Sequence, residues 1–304
     1  MPYNNENSFY KYTNAKVTKI VLANTTFRWS SPDQFNDPFD MQFYLNEPEI
    51  SEQRSRRIVE IIIERLRKDK TIDIHPTRAH CTKTKFIVLA FRKIQERMSS
   101  LDENELKEIV FSMIHDIKPS ERSGIIEINQ TWQNVLERMI VFCVSEVPDN
   151  LLMWSHYSEN HSGVVFKLDC RKDLDSALCA AKKVRYSETM PVRLDDDQTL
   201  RFVLGGQLKN AKDVLDDLSL TKSIDWSYEK EWRCIADKRS NRAERHEDVQ
   251  FFAHELSEVI FGCRTSESDI HQICLLLDQG PYTARKTRAR KHETRYELIL
   301  EPLQ

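Results

Sequence analysis

The segment Trp226-Ser-Tyr-Glu-Lys-Glu-Trp-Arg233, which runs on into Cys-Ile-Ala, constrains the fold of this chain more than any other stretch. Read with the two-residue period of a strand, Glu229, Glu231 and Arg233 share one face. Tyr228, Lys230 and Trp232 share the other. Two acids and a guanidinium beside large apolar rings make a poor face for a plain core. The plain alternative is the solvated face of an edge strand carrying an internal Glu–Arg pair.

The strand has to find a sheet, and the rest of the chain supplies one. Ser8-Phe-Tyr-Lys-Tyr12, Thr26–Ser30, Ile140–Ser145, Gly163–Asp169, Lys183–Ser187, Val249–Phe252, Val259–Gly262 and Tyr296–Leu300 all read as short strands. Helical spacing of apolar residues marks 51–68, 102–117, 126–138, 197–222 and 267–278, with a shorter helix or turn at Val17–Ala23. Asp102 followed by Glu105 has the spacing of a capping box. Asp149 or Asn150 is placed to cap a short helix at Leu151–Tyr157. About eight strands alternate irregularly with helices, without a regular βαβα rhythm. The expected class is α+β: one domain over 1–304, a mostly antiparallel mixed sheet, and a charged helical insertion at 46–140.

Composition closes off several classes. The 304 residues hold only 6 glycines, and neither G-x-G-x-x-G nor G-x-x-x-x-G-K-[ST] occurs. The net charge of −3 gives no overall sign of a nucleic-acid binder. No apolar run is long enough for a transmembrane helix. The N-terminus lacks the basic and apolar regions of a signal peptide, so a cytoplasmic protein is expected. The 7 cysteines are widely spaced without C-x-x-C, so they read as small buried apolar residues, and no zinc site is expected.

Five constellations could carry chemistry. Glu229 and Glu231 could stabilise a developing oxocarbenium ion, and two close carboxylates split their pKa values so that one serves as a base. Met153-Trp-Ser-His-Tyr157 with His161 offers a histidine for acid–base work; the plain reading makes Trp154 and Tyr157 core and ties His156 to a buried carbonyl. Asn36 and Asp37, in Phe35-Asn-Asp-Pro-Phe-Asp40, would hold a ligand or simply shape a turn. Tyr10, Lys11 and Tyr12 with Arg28 supply the aromatic and cationic groups that a nucleotide needs. The basic run 285–295 would either touch nucleic-acid phosphates or form a solvated loop or edge.

Taken together, Tyr10-Lys-Tyr12, Phe27–Asp40, Met153–Tyr157 with His161-Ser-Gly163, and Trp226–Arg233 resemble domain-of-unknown-function family 2971. The resemblance covers nearly the whole chain except 46–140. The order of elements also resembles the ADP-ribosyltransferase fold. That fold carries an Arg, His or Tyr on its first strand, a Ser or Tyr on a middle strand followed by a helix, and a catalytic Glu on a late strand, often as E-x-E. The resemblance implies an enzyme that uses NAD as substrate and transfers ADP-ribose to a macromolecular acceptor, in the setting of a toxin or phage-defence effector. It implies Tyr10 or Tyr12 on the first strand, Ser145 on the middle strand, Glu231 as the catalytic acid and Glu229 as the residue that helps choose the acceptor. Arg28 or Lys11 would hold the pyrophosphate, and Trp154 or Tyr157 would pack near the nicotinamide. Arg233 completes the candidate set beside Asn36, Asp37 and His156. The chain departs from that pattern in having no Arg or His on the first strand and no Ser-Thr-Ser.

Two other readings compete. One is a non-catalytic nucleotide-binding or protein-interaction module of a bacterial defence or toxin–antitoxin system, with the helical region 51–138 as the surface for a partner protein. The other is a metal-dependent hydrolase or nuclease built on Asp37, His156, Glu229 and Glu231.

Overall fold

A computed structural model describes residues 8–42, 52–67, 102–115, 123–191, 211–239 and 244–303. The chain divides into two compact units, one formed by 1–42, 135–190 and 220–304 and the other by 43–134 and 191–219.

The first unit is α+β, with a mostly antiparallel open sheet. Its chain order starts with β1 (Ser8–Thr13), α1 (Ala15–Asn24) and β2 (Thr26–Ser30). After the second unit's helices come β3 (Met139–Ser145), α5 (Leu151–Tyr157), β4 (Val164–Asp169), β5 (Lys182–Lys183) and β6 (Arg185–Ser187). Then follow β7 (Thr221–Ser223), β8 (Glu231–Asp237), β9 (His246–Gln250), β10 (Leu256–Phe261), α7 (Glu267–Gln279), β11 (Arg285–Lys291) and β12 (Leu298–Pro302). The main path is β12-β11-β10-β4-β1-β3-β2-β9, with β8 on β3 and β5 on β8. β6 and β7 form a separate parallel pair. Among the described residues of the large sheet only β10 and β11 run parallel, and α7 supplies the crossover that such a pair requires.

Local chemistry explains the punctuation. Asn14 caps α1 by accepting the Val17 N–H at 2.8 Å, and Ser266 caps α7 through the Asp269 N–H at 3.1 Å. Asn150, rather than Asp149, caps α5, taking the N–H groups of Leu152 and Met153 at 2.9 and 3.1 Å. α5 hands over to β4 through Glu159, Asn160 and His161, all with positive φ, and then Gly163. A Cβ on Gly163 would lie 2.2 Å from the Thr13 carbonyl, so the close approach of this turn to β1 admits only glycine. The larger core cluster lies on one face of the sheet, where Phe27 packs tilted against Phe142 and edge to face against Phe166, together with Ile270, Ile273 and Leu277 of α7. On the other face Tyr12, Met153, Trp154, Val165 and Ile260 form a second cluster.

In the second unit, α2 (Glu52–Arg67) buries Ile58, Val59, Ile62 and Ile63, and α3 (Glu103–His115) buries Leu106 and Val110. Arg56 reaches Glu108 at 3.5 Å and covers the Phe111 ring. Asp102 caps α3 through the Asn104 N–H at 3.3 Å. α4 (Ser123–Glu137) leads out of this unit, and α6 (Ala211–Ser219) belongs to it.

Several expectations change. The helix expected at 197–222 stops at Ser219, and Thr221–Ser223 is a strand; 197–210 lies outside the described residues. The last strand is Leu298–Pro302 rather than 296–300. The basic run is not a loop: its first seven residues are β11, because Thr287 and Ala289 alternate with the cations and turn inward. Cys170 and Cys179, read as free apolar residues, are paired as a disulfide that joins the end of β4 to the turn before β5. Among the described residues no helix is long and apolar enough to cross a membrane.

Candidate functional site

β3 organises the site. One edge pairs with β8 along its full length, from Met139 beside Asp237 to Ser145 beside Glu231. The other edge meets β1 only at Tyr10 beside Ser145 and β2 only at Ser30 beside Val141. β1 and β2 thus diverge from β3. In the gap, the 34–40 segment, α5 and the chain before β8 enclose a cleft of about 370 Å³.

Glu229 does not lie on the strand, contrary to the two-residue reading. It ends a 3-10 turn, Ile224–Glu229, and Lys230 takes a left-handed φ of 45° before β8 starts at Glu231. The reversal still brings both carboxylates to the cleft. Ser145 pins the turn, since its hydroxyl donates to the Glu229 carbonyl at 2.6 Å and accepts the Val147 N–H at 3.2 Å. The Tyr186 hydroxyl accepts the Glu231 N–H at 2.8 Å. Burial pushes the Tyr186 phenol up to about 12.

Behind the carboxylates lies a buried network of charge. Arg233, 1% exposed, grips Asp40 through two N–H···O contacts of 2.9 and 2.6 Å and Glu231 through contacts of 2.8 and 3.0 Å. Lys222 Nζ stands 2.6 Å from Glu229, 3.2 Å from Glu231 and 3.4 Å from Asp40. The Tyr157 hydroxyl donates to Glu229 Oε1 at 2.5 Å and accepts from the Asn36 amide at 3.0 Å. Three carboxylates therefore share two buried cations, a geometry in which each partner offsets the others' desolvation.

Burial alone would lift the Glu231 carboxyl, but Arg233 and Lys222 outweigh it and hold the acid well below the usual glutamate range. Burial likewise works against the Lys222 and Arg233 charges, and the surrounding carboxylates overcome it. Glu229 differs: burial, with the charge of Glu231 adding to it, pushes its carboxyl above the ordinary range against the pull of Lys222. Glu229 is the weakest acid of this pair, as a divided two-carboxylate site requires.

Ten of the expected residues line this one cleft: Tyr10, Lys11, Tyr12, Arg28, Asn36, Ser145, His156, Tyr157, Glu229 and Glu231. Lys11 Nζ donates to the Cys143 carbonyl at 2.8 Å, and burial pulls its ammonium down from the ordinary value. His156 meets the Tyr228 hydroxyl at 2.9 Å on an exposed rim, not a buried carbonyl. Three expected residues stand elsewhere. Trp154 is fully buried core, its indole N–H donating to the Pro148 carbonyl at 2.8 Å. Asp37 closes its own turn by accepting the Phe39 N–H at 2.9 Å. Arg233 lies behind the carboxylates and supports them rather than facing the cleft. Ser145 reaches the cleft, but its hydroxyl is committed to backbone.

The metal-hydrolase constellation is not assembled, because Asp37 turns away and Glu229 and Glu231 converge on Lys222. Among the described residues no group of His, Cys, Asp and Glu is placed to hold a metal ion. The residues that sequence reasoning missed are Lys222, Asp40, Phe35 and Cys143. Phe35 packs its ring on the Arg233 guanidinium, at 5.4 Å. A buried acid beside Arg233 could have been suspected, since a guanidinium among aromatic strand residues needs acids to go inside, but nothing singled out Asp40. Lys222 carried no signal.

Residues 153–234 match the family described as Protein of unknown function (DUF2971). Over that span, from α5 into β8, the resemblance carried by Met153–Tyr157 and Trp226–Arg233 is borne out. No curated protein and no solved structure matches the chain.

Proposed function

We propose that the chain is an ADP-ribosyltransferase-like enzyme that cleaves NAD and transfers ADP-ribose to a macromolecular acceptor. One observation carries the reading. Tyr10, Ser145 and Glu231 are direct neighbours across three adjacent strands, and all three line one cleft. These are the positions that the element order assigns to the first, middle and late strands. Residues paired across a sheet point to the same face. Ser145 serves it by pinning the Glu229 turn, its hydroxyl being committed to backbone.

The chemistry fits the charges. The C–N bond between ribose and nicotinamide breaks, and its electron pair leaves on the nicotinamide nitrogen. Positive charge grows on the ribose, facing Glu231, which Arg233 and Lys222 keep ionised. The acceptor's lone pair forms the new bond, and the acceptor's proton passes to Glu229, the better base of the two. Tyr157 would pack near the nicotinamide, and Arg28 or Lys11 would hold the pyrophosphate.

The test is nicotinamide release from NAD by the wild type, Glu229→Gln and Glu231→Gln, with cell lysate as the source of acceptor. Release in the wild type, lost in both variants while they remain folded, supports the transferase. A folded wild type that neither releases nicotinamide nor binds NAD in calorimetry overturns it. That outcome favours the second reading, a non-catalytic nucleotide-binding or interaction module. One feature already points that way: Tyr157, Lys222 and Arg233 engage both oxygens of each glutamate.

A further inference from the structure

We propose that Lys222 is a positioning residue whose ammonium holds Glu229 and Glu231 side by side as two anions in the cleft. The inference rests on the transferase reading for its kinetic consequence and on geometry for the rest. Lys222 Nζ lies within 3.4 Å of all three buried carboxylates of the network. It is nearest to Glu229, at 2.6 Å, which the Arg233 contacts to Asp40 and Glu231 leave to it. Its side chain is 5% exposed, and the Trp226 ring lies 4.9 Å from Nζ, so little water stands in for the partners.

Removing the ammonium leaves three carboxylates against one guanidinium. The cheapest relief is to protonate Glu229, which loses its 2.6 Å cation and is the weaker acid of the Glu229–Glu231 pair. The groups facing Glu229 are Tyr157 from α5, Lys222 from β7 and Glu231 from β8, with Arg233 and Asp40 behind them, on Glu231 and Lys222. Tyr186 of β6, Lys11 of β1 and Tyr228 of its own turn complete its surroundings. Apart from Lys222, the cations here are directed elsewhere: Arg233 to Asp40 and Glu231, Lys11 to the Cys143 carbonyl, and Arg28 to Asp248. None of them replaces Lys222 at Glu229.

The experiment compares wild type, Lys222→Met and Lys222→Arg in two readouts: the pH profile of nicotinamide release, and the pH titration of the Glu229 side-chain carboxyl by carbon-13 NMR. In Lys222→Met the Glu229 midpoint should rise by about one unit or more. The acid limb of the profile should rise with it, and Lys222→Arg should recover at least half of the shift. An unmoved or lowered Glu229 midpoint in Lys222→Met, or an Arg variant no better than Met, overturns the proposal. Should the wild type release no nicotinamide, the transferase reading fails, and the carboxyl titration still decides the role of Lys222. Should Lys222→Met fail to fold, Glu231→Gln is compared with Glu231→Gln plus Lys222→Gln. A higher Glu229 midpoint in the double variant sustains the proposal, and an equal or lower one overturns it.

Discussion

Two charged regions of the first unit are built from the same residue types and do opposite things. On β11, the densest run of cations in the chain, each arginine meets an acid at the surface: Arg285 with Glu258, Arg288 with Glu267 and Arg290 with Glu301. In the cleft, Asp40, Lys222, Glu229, Glu231 and Arg233 are all buried. The exposed pairs keep most of their water, so forming them changes little. The buried set has only its own members for solvation, so each depends on the rest. Charge density along a sequence is thus a poor guide to where charge matters; burial decides.

The sharpest way to break this contrast is Arg233→Leu against Arg290→Ala. Losing Arg233 leaves Asp40 and Glu231 without their main partner, and we expect a stability loss of about 3–5 kcal/mol in urea unfolding. Even Arg233→Lys should lose a good part of this, because one ammonium cannot make the two-sided grip of a guanidinium. Next in size is activity. Glu229→Gln should lower nicotinamide release by about 10²- to 10⁴-fold, the usual worth of a general base, while Arg290→Ala leaves it within twofold of the wild type.

Acid sharpens the comparison further. Glu231 is held below its ordinary value of 4.5, so the stability it contributes is full above that value and drains away as the pH falls toward its folded value. The stability difference between wild type and Glu231→Gln should therefore shrink as the pH drops below 4.5 in a series of thermal melts. Glu229 is shifted upward, so activity that needs its anion should rise with pH through a midpoint above 4.5. The smallest effect belongs to the surface. Arg290→Ala should cost about 0–1 kcal/mol, and the difference should fade in 1 M salt, where screening acts over about 3 Å. The buried network should be nearly indifferent to the same salt.

Much of this arrangement was legible in advance. Periodicity placed the helices α2, α3, α4 and α7 and most of the sheet, because 3.6- and two-residue patterns reflect which face meets the core. The cap of α5 at Asn150 is equally local. The segment Trp226–Arg233 marked the site correctly but for the wrong local reason. A 3-10 turn and a left-handed Lys230, not one strand face, bring Glu229 to Glu231. Nothing in Ser-Pro-Asp-Gln-Phe-Asn-Asp-Pro-Phe-Asp distinguished Asp37, which closes its own turn, from Asp40, which binds an arginine 193 positions away.

The sequence by itself determined an α+β chain, the elements that would carry its polar groups, and the family its 153–234 segment matches. Only the tertiary structure decided which of those groups meet. Lys222 sits in an unremarked Thr-Lys-Ser, yet it becomes the point on which three carboxylates converge. The reason is physical. Secondary structure follows interactions between near neighbours, and these leave a periodic trace. A buried ion network follows long-range packing and desolvation, and its members leave no spacing to read.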